Sequence, residues 1–527
     1  MVQLMNPQIA LAAILAATRD GPSSTSLASV AAATGAQYSS TFDLTSSWAN
    51  LSPYKPADGF GVPRGVPRGC ELSQVHILHR HAERYPESPW FDGGGIKSFS
   101  EKLQTYNYNH DISLGAGALE FLKDWKYILG QDILLATGAA TEVLSGADTW
   151  SKYGRMLYRA PPGMAVWDPE LNVYPNGTQR LKPVFRTTNK QRVLESARWW
   201  LTGFFGHSGA NKSFELVVIP EGDGVNNTLA AEHSCPGDLK EGHASLTHAS
   251  EEFIPRMIKH PLARLSKLFP EDFNLTTSDV LAMMNLCPYE YATLGSSSFC
   301  ELFTEQEWRD FAYNLDMRLY GASAFGSPTG RAQGIGYILE LAARLEGKLI
   351  QSSDTSINTT YDNNSTTFPV DQPLYMDMTH DKVIIGTLTA LGIQYFNHGP
   401  KGMPSAVAHA VPRTFELNKV APFGGRLVSE VWTCPMDASL EVLDRTLYKN
   451  PDLSEAKHTI DYIRFVLNGA PLPTSDVIGC ENAKNGFCKV ANVLRAVPKL
   501  KEKAMYQEAC YKNYTPGHQV GDGRPEI

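Results

Sequence analysis

Apolar and polar positions alternate along this chain in three units that share one plan: a short apolar run, a polar cluster, then a helical stripe. Gln74-Val75-His76-Ile77-Leu78-His79 reads as a buried strand closed by charged residues. Val184-Phe185-Arg186 reads as a strand end, and beyond it Val193, Ala197, Trp200, Leu201 and Phe204 recur at helical spacing until Gly206. Thr188, with Gln191 three residues on, is expected to cap that helix. Leu374-Tyr375-Met376-Asp377-Met378 is strand-like, Thr379-His380-Asp381 turns, and Ile384, Leu388 and Leu391 stripe a helix that stops at Gly392. Later strands are expected at Gly425–Trp432 and Tyr462–Leu467.

Between these units the pattern is more helical. Helices are expected around Leu119–Trp125, Ser278–Met284, Glu305–Tyr320 and Ala332–Leu345, and a polar loop over Gln351–Pro369. Strand–loop–helix units at both ends of a helical middle predict an open α/β sheet with a helical insertion. Ligands of such sheets sit beyond the carboxyl ends of the strands, where helix N-termini point. Three segments meet that condition, after His79, Phe185 and Met378.

The 527 residues carry 47 Lys+Arg against 55 Asp+Glu, a formal charge of −8, with 43% hydrophobic residues. That much apolar content buries a large core, and a mildly acidic chain without a basic block argues against nucleic acid as partner. Ile9–Ala17 is too short to span a bilayer but suits a signal peptide, followed by small-residue sites at Ala31-Ala32-Ala33 and Gly35-Ala36. Residues 1–45 are therefore expected to be signal peptide and leader. Eight cysteines without a CxxC pair, and nine Asn-x-Ser/Thr acceptors, fit an oxidising secretory route. The acceptors are Asn50, Asn176, Asn211, Asn226, Asn274, Asn358, Asn363, Asn364 and Asn513. The expected location is secreted or cell-wall associated, with no membrane span.

At the first strand end stands Arg80-His81-Ala82-Glu83-Arg84-Tyr85-Pro86. Guanidinium forks match phosphate oxygens and stay charged at any useful pH, so two arginines beside a histidine begin an anion clamp. Arg186 precedes a helix start, where a cation is unfavourable unless an anion is near. His380-Asp381 adds a donor for a phosphoryl oxygen and a carboxyl able to protonate a leaving alkoxide.

Together these residues resemble the histidine acid phosphatases, in particular the fungal phytase/acid phosphatase branch. The family pattern Arg-His-Gly-x-Arg-x-Pro stands here as Arg80–Pro86, with Ala82 replacing Gly, and His380-Asp381 follows downstream. Asn468-Gly-Ala-Pro-Leu-Pro473 and Gly424-Gly425 before Cys434 extend the likeness over roughly residues 50–515. The resemblance implies a doubly wound α/β central sheet formed by residues 46–190 and 365–527, with a smaller, mostly helical domain inserted over 191–364. It implies that His81 attacks phosphorus, that Arg80, Arg84, Arg186 and His380 hold the phosphoryl oxygens, and that Asp381 protonates the leaving alcohol, without metal or cofactor. It also implies disulfides Cys70–Cys434, Cys287–Cys300, Cys480–Cys488 and Cys235–Cys510. Related enzymes are often oligomeric, so a homo-oligomer is compatible with it.

The implied activity is a secreted acid phosphatase/phytase acting on phosphate monoesters, including myo-inositol hexakisphosphate, through a phosphohistidine in acid. Nearby arginines should hold His81 neutral, and Asp381 must be protonated to act, so the optimum is expected below about pH 6. Two alternatives stand beside it: a general acid phosphatase with little phytate activity, and a catalytically weakened secreted glycoprotein, for which Ala82 speaks. Glu83, Glu87 and Asp92, opposed near the first motif only by Lys97, lean towards broad specificity. Glu290 aligns loosely with an acidic substrate-binding position of the broad-specificity branch.

Three other motifs are weaker. His76, His79 and His81 could suggest a metal site, but 76 lies on the opposite strand face from 79 and 81. Gly93-Gly94-Gly95-Ile96-Lys97-Ser98 reads as a loop rather than a phosphate loop. Gly206-His207-Ser208-Gly209-Ala210 lacks the last Gly of a nucleophile elbow and reads as a helix end.

Overall fold

The computed structural model describes residues 39, 41–87, 93–110, 117–209, 212–238, 243–405, 413–445, 447–513 and 520–526. The expected signal segment, its small-residue sites and Asn211 lie outside them. Among the described residues no helix is long and apolar enough to cross a membrane.

Seven strands in chain order make the main sheet: β1 (Glu71–Arg80), β2 (Val184–Thr188), β3 (Glu215–Ile219), β4 (Leu374–Thr379), β5 (Arg426–Pro435), β6 (Thr459–Leu467) and β7 (Cys488–Lys489). The spatial order is β7-β6-β5-β1-β4-β2-β3, and Ala470–Pro471 adds a short eighth strand beside β6. From β1 through β4 and β2 to β3 the pairing is parallel, whereas β1–β5, β5–β6 and β6–β7 are antiparallel. The α/β sheet is therefore mixed, with the parallel half carrying the three strand ends of interest.

The helices used below are α1 (Gly93–Asn109), α2 (Ala136–Thr149), α3 (Gln191–Gly209), α4 (His243–Leu265), α5 (Thr277–Leu294), α6 (Glu305–Ser323), α7 (Gly330–Glu346), α8 (Asp381–Leu391) and α9 (Val490–Ala504). Strand alternation sends side chains to two cores. Val75 and Ile77 join Phe185, Met376, Met378 and the α3 residues Trp200 and Phe204 on one face. Leu78, Leu427, Ile463 and Phe465 join Ile384, Ile335 and Leu500 of α8, α7 and α9 on the other. Both faces being covered, every residue of β4 is buried, which is why it reads as an apolar run rather than an alternation. Helices α5 and α6 each begin with a reciprocal capping box, Thr276 with Asp279 and Thr304 with Glu307.

All four disulfides form as the resemblance implied. Cys70–Cys434 clamps the start of β1 to β5, where Glu71 already faces Thr433.

Three local expectations are corrected. Gly93–Ser98 opens α1 rather than forming a loop. Thr188 ends β2 and α3 begins only at Gln191, so the two cannot form a capping box; the Gln191 side chain instead accepts the Leu134 N–H. Nor does the sheet stop at residue 190. β3 pairs in parallel with β2 along its whole length, so the segment 191–219 belongs to the sheet and its covering helix.

Candidate active site

β1 and β4 lie side by side in parallel, with Arg80 opposite Thr379. His81 and His380 therefore leave the sheet from adjacent strand ends, their ring centroids 5.6 Å apart and edge-on. Backbone bonds fix this corner: His81 N–H donates to Thr379 O, Arg80 N–H to Gly425 O, and Gly424 N–H to His81 O. Gly424 has φ +67°, a conformation that costs a side chain, and Asn468 donates to the carbonyls of Lys419 and Val420 while accepting from Arg426 N–H. The Gly-Gly and Asn-Gly segments thus brace the loop that carries the histidine.

Nδ1 of His81 lies 2.9 Å from Ala82 O. A backbone carbonyl only accepts, so Nδ1 carries the proton and Nε2 keeps its lone pair. His81 is 2% exposed. Burial first, then Arg80, Arg192, His380 and Arg84, push its pKa well below that of free histidine. Ala82 is not among the residues with positive φ, so its methyl imposes no backbone strain there.

The cleft at His81 is lined also by Arg84, Arg192, His380, Asp381 and Lys382, with Arg318 of α6 and Asn285 of α5 on the helical side. Arg84 reaches it from the loop after β1, and Arg192 from the first turn of α3. Asp381 opens α8, with His380 as N-cap. Its Oδ2 lies 2.9 Å from Arg80 Nη2 and accepts from Asn50 Nδ2 at 3.0 Å. Although burial raises it, Arg80 and Asn50 bring the Asp381 pKa down to about 2. His380 Nε2 is 2.7 Å from Glu221 Oε1, and Glu221, on the loop after β3, is itself held at about 2, burial being outweighed by His380.

Not every expected residue is here. Arg186 is fully buried, its Nε bonded to Asp377 Oδ1 at 2.6 Å, Nη1 to Asp362 at 3.2 Å and Nη2 to Glu340. Arg344 completes the network on Asp377 Oδ2 at 2.6 Å. Arg186 occupies the strand face opposite the Phe185 core and does not line the cleft, so its expected role as a phosphate clamp is withdrawn. From this segment it is Arg192 that lines the cleft, beside Arg84 and Arg318. A cation at this helix start does face an anion, but it is Arg192 in the first turn, six residues beyond Arg186, paired with Glu87.

Glu290 is likewise outside the cleft, its carboxyl accepting from Trp125 Nε1 and Ser297 Oγ. Lys97 is exposed beside Glu101, and Glu83 faces a second cavity behind the loop. Among the expected glycosylation sites, Asn50 lies in the cleft with its amide on Asp381, so a glycan on that nitrogen would displace the bond and fill the site. Asn176, Asn274, Asn363, Asn364 and Asn513 are exposed, while Asn226 and Asn358 are half-buried. Sequence reasoning missed Arg192, Glu221, Asn50, Arg318 and Lys382. Only Arg192 and Lys382 carried a local signal, a helix-start cation and a neighbour of the His-Asp pair.

His76 stacks on Tyr375 in the core, and His79 bonds Ser145 across the sheet from it. The three histidines therefore do not converge. A neutral imidazole with a bare Nε2, facing guanidinium groups and next to a buried carboxyl, is an arrangement for nucleophilic capture of an anionic electrophile.

Comparison with known proteins agrees in kind. The model of the histidine phosphatase superfamily (branch 2) matches residues 71–468. Phytase A of Emericella nidulans is 30% identical over 400 residues, 73% of this chain and 79% of the relative. Phytase A of Aspergillus oryzae is 28% identical over 464 residues, 84% of this chain and 85% of the relative. Among solved structures, the phytase from D. castellii superposes with TM-score 0.68 at 21% identity, covering 91% of this chain and 90% of that one. With His81, His380 and Asp381 gathered at adjacent strand ends, Arg192 at the helix start and most of the chain matched, the protein belongs to the histidine phosphatase superfamily, branch 2.

Proposed function

We propose that this chain is a phosphoric monoester hydrolase of the acid phosphatase/phytase kind, working through a phosphohistidine. The observation that carries the reading is His81, whose Nδ1 proton is fixed on Ala82 O while Nε2 remains a base amid guanidinium groups. Phosphoryl transfer needs mainly positioning and neutralisation of charge, which Arg80, Arg84 and Arg192 can supply. Nε of Arg80 is buried without a hydrogen-bond partner, a demand that a phosphoryl oxygen would meet, while Nη2 is held by Asp381.

In the proposed sequence, Nε2 of His81 forms a bond to phosphorus as the ester P–O bond breaks. Asp381 gives its proton to the departing alkoxide, and water then attacks the phosphohistidine, freeing His81 and inorganic phosphate. Asp381 has a low pKa as long as Arg80 faces it. A phosphoryl group that draws that guanidinium onto itself weakens the pair, and the carboxyl then holds a proton at mildly acidic pH.

The relatives named as phytases support inositol phosphates among the substrates, and the basic residues Arg192, Arg318 and Lys382 of the cleft suit polyphosphorylated ligands. Helices α5 and α6 form the helical side of the cleft and would bound substrate size. Secretion with glycosylation at the exposed acceptors is part of this reading, supported by the four disulfides.

The test is hydrolysis of a chromogenic phosphate ester and of myo-inositol hexakisphosphate, wild type against His81→Ala. Loss of both activities in the variant is expected. Undiminished turnover by His81→Ala would overturn the reading.

A further inference from the structure

Glu87 stands in the same cleft as His81, one residue past the Arg80–Pro86 motif. Its Oε1 accepts from Arg192 Nη2 at 2.7 Å and lies 3.2 Å from Arg84 Nη2. One carboxylate oxygen thus sits between the two arginines that line the cleft beside the nucleophile. Its side chain is 23% exposed, reached from the cleft opening rather than sealed in the core.

A carboxylate and a phosphoryl group ask the same thing of a guanidinium, parallel N–H donors in a plane. They cannot both have it. We propose that Glu87 is an internal competing anion: it holds the Arg84 and Arg192 donors on which a phosphoryl group docks, and substrate binds by displacing it. The inference rests on the phosphatase reading and adds a specificity determinant to it. An incoming anion must outcompete a tethered carboxylate, which favours the three oxygens of a phosphoryl group, able to engage both guanidinium groups at once, over the two of a carboxylate.

The other charges facing Glu87 are Asp381, His380 and Lys382 from the α8 end and Arg80 from β1. Against the cost of burial, Arg84 and Arg192 keep its pKa below that of an ordinary carboxyl. Competition is then complete near neutrality and relaxes in acid, where the carboxyl takes a proton.

The experiment is calorimetric titration of the full chain with inorganic phosphate between pH 3 and 6.5, wild type against Glu87→Gln, with Glu87→Thr as second variant should Gln fail to fold. At pH 6 the variant should bind phosphate about tenfold more tightly, the size of losing one charge-assisted competitor. That advantage should hold through the mildly acidic range and shrink only at the acid end, where the wild-type carboxyl takes a proton. Unchanged or weaker binding by the variant at all pH values would show that Glu87 orients the arginines, and would overturn the proposal. A gain that grows towards pH 3 would also overturn it. Because the readout is binding rather than turnover, a protein that binds phosphate in this pattern but hydrolyses no ester would sink the functional reading and leave this one standing.

Discussion

Nη2 of Arg80 lies 2.9 Å from Oδ2 of Asp381, and this one guanidinium both lowers the His81 pKa and holds Asp381 ionised. In the proposed mechanism this pair links binding to proton transfer: an anion that engages Arg80 would release the carboxyl to carry a proton.

Asp381→Asn should therefore lower kcat by about 10²–10⁴-fold for alkyl phosphates, the usual range for loss of a general acid. Aryl esters, whose leaving phenoxide needs little protonation, should lose far less. Steady-state kinetics on a matched alkyl and aryl pair checks this, and equal losses on both would remove Asp381 from the proton-donor role.

The pH profile follows from two signs. The His81 pKa is lowered, so the free enzyme keeps a neutral nucleophile down to well below pH 6.5. The Asp381 pKa is low in the free site; the proposed competition of a phosphoryl group for Arg80 would raise it into the acid range, so activity is expected to fall as pH rises past that range. An optimum below about pH 6 is expected, with reference pKa values setting the window. An acid limb of kcat/KM titrating at 6.5 or above would contradict the environment assigned to His81.

Arg186 and Arg192 should fail in different ways. Arg186→Ala leaves Asp377 and Glu340 buried and underpaired, which costs about 3–5 kcal/mol of stability and shows as a lower Tm or loss of soluble protein. Arg192→Ala should fold but raise KM and the inhibition constant of phosphate. Thermal melts beside kinetics separate the two, and a stable Arg186→Ala with only a raised KM would restore the role first expected for it.

Asn50 should carry no glycan, whereas Asn176, Asn274, Asn363, Asn364 and Asn513 are open to modification. Removing its amide with Asn50→Ala takes a hydrogen bond from the Asp381 carboxylate, so the Asp381 pKa should rise and the alkaline limb of kcat shift upward. Peptide mass spectrometry and a pH profile check the pair; an occupied Asn50 in active protein would break the assigned contact.

How much of this was legible in the chain depended on locality. The three strand–turn–helix units, His81, Arg84, His380 and Asp381 were readable because apolar runs and their charged ends lie within a few residues of each other. Arg186 misled because a strand residue's face is set by alternation against neighbours. Its partners Asp377, Glu340 and Asp362 come from distant segments. Strand β3 was missed because it lies at the sheet edge, where only Ile219 is buried and the apolar signal is short. Asn50 and Glu221 reach the site from loops far in sequence, and nothing around either marks it. The Glu87 contact with Arg192 needed the fold, since 105 positions separate the two.

The most direct test of the account is to trap the covalent intermediate. Enzyme mixed with phosphorus-labelled ester, quenched rapidly in alkali and digested, should carry the label on the peptide containing His81, stable to base and lost in acid. Label on any other residue, or an enzyme that turns over at full rate with Ala at 81, would contradict the central claim.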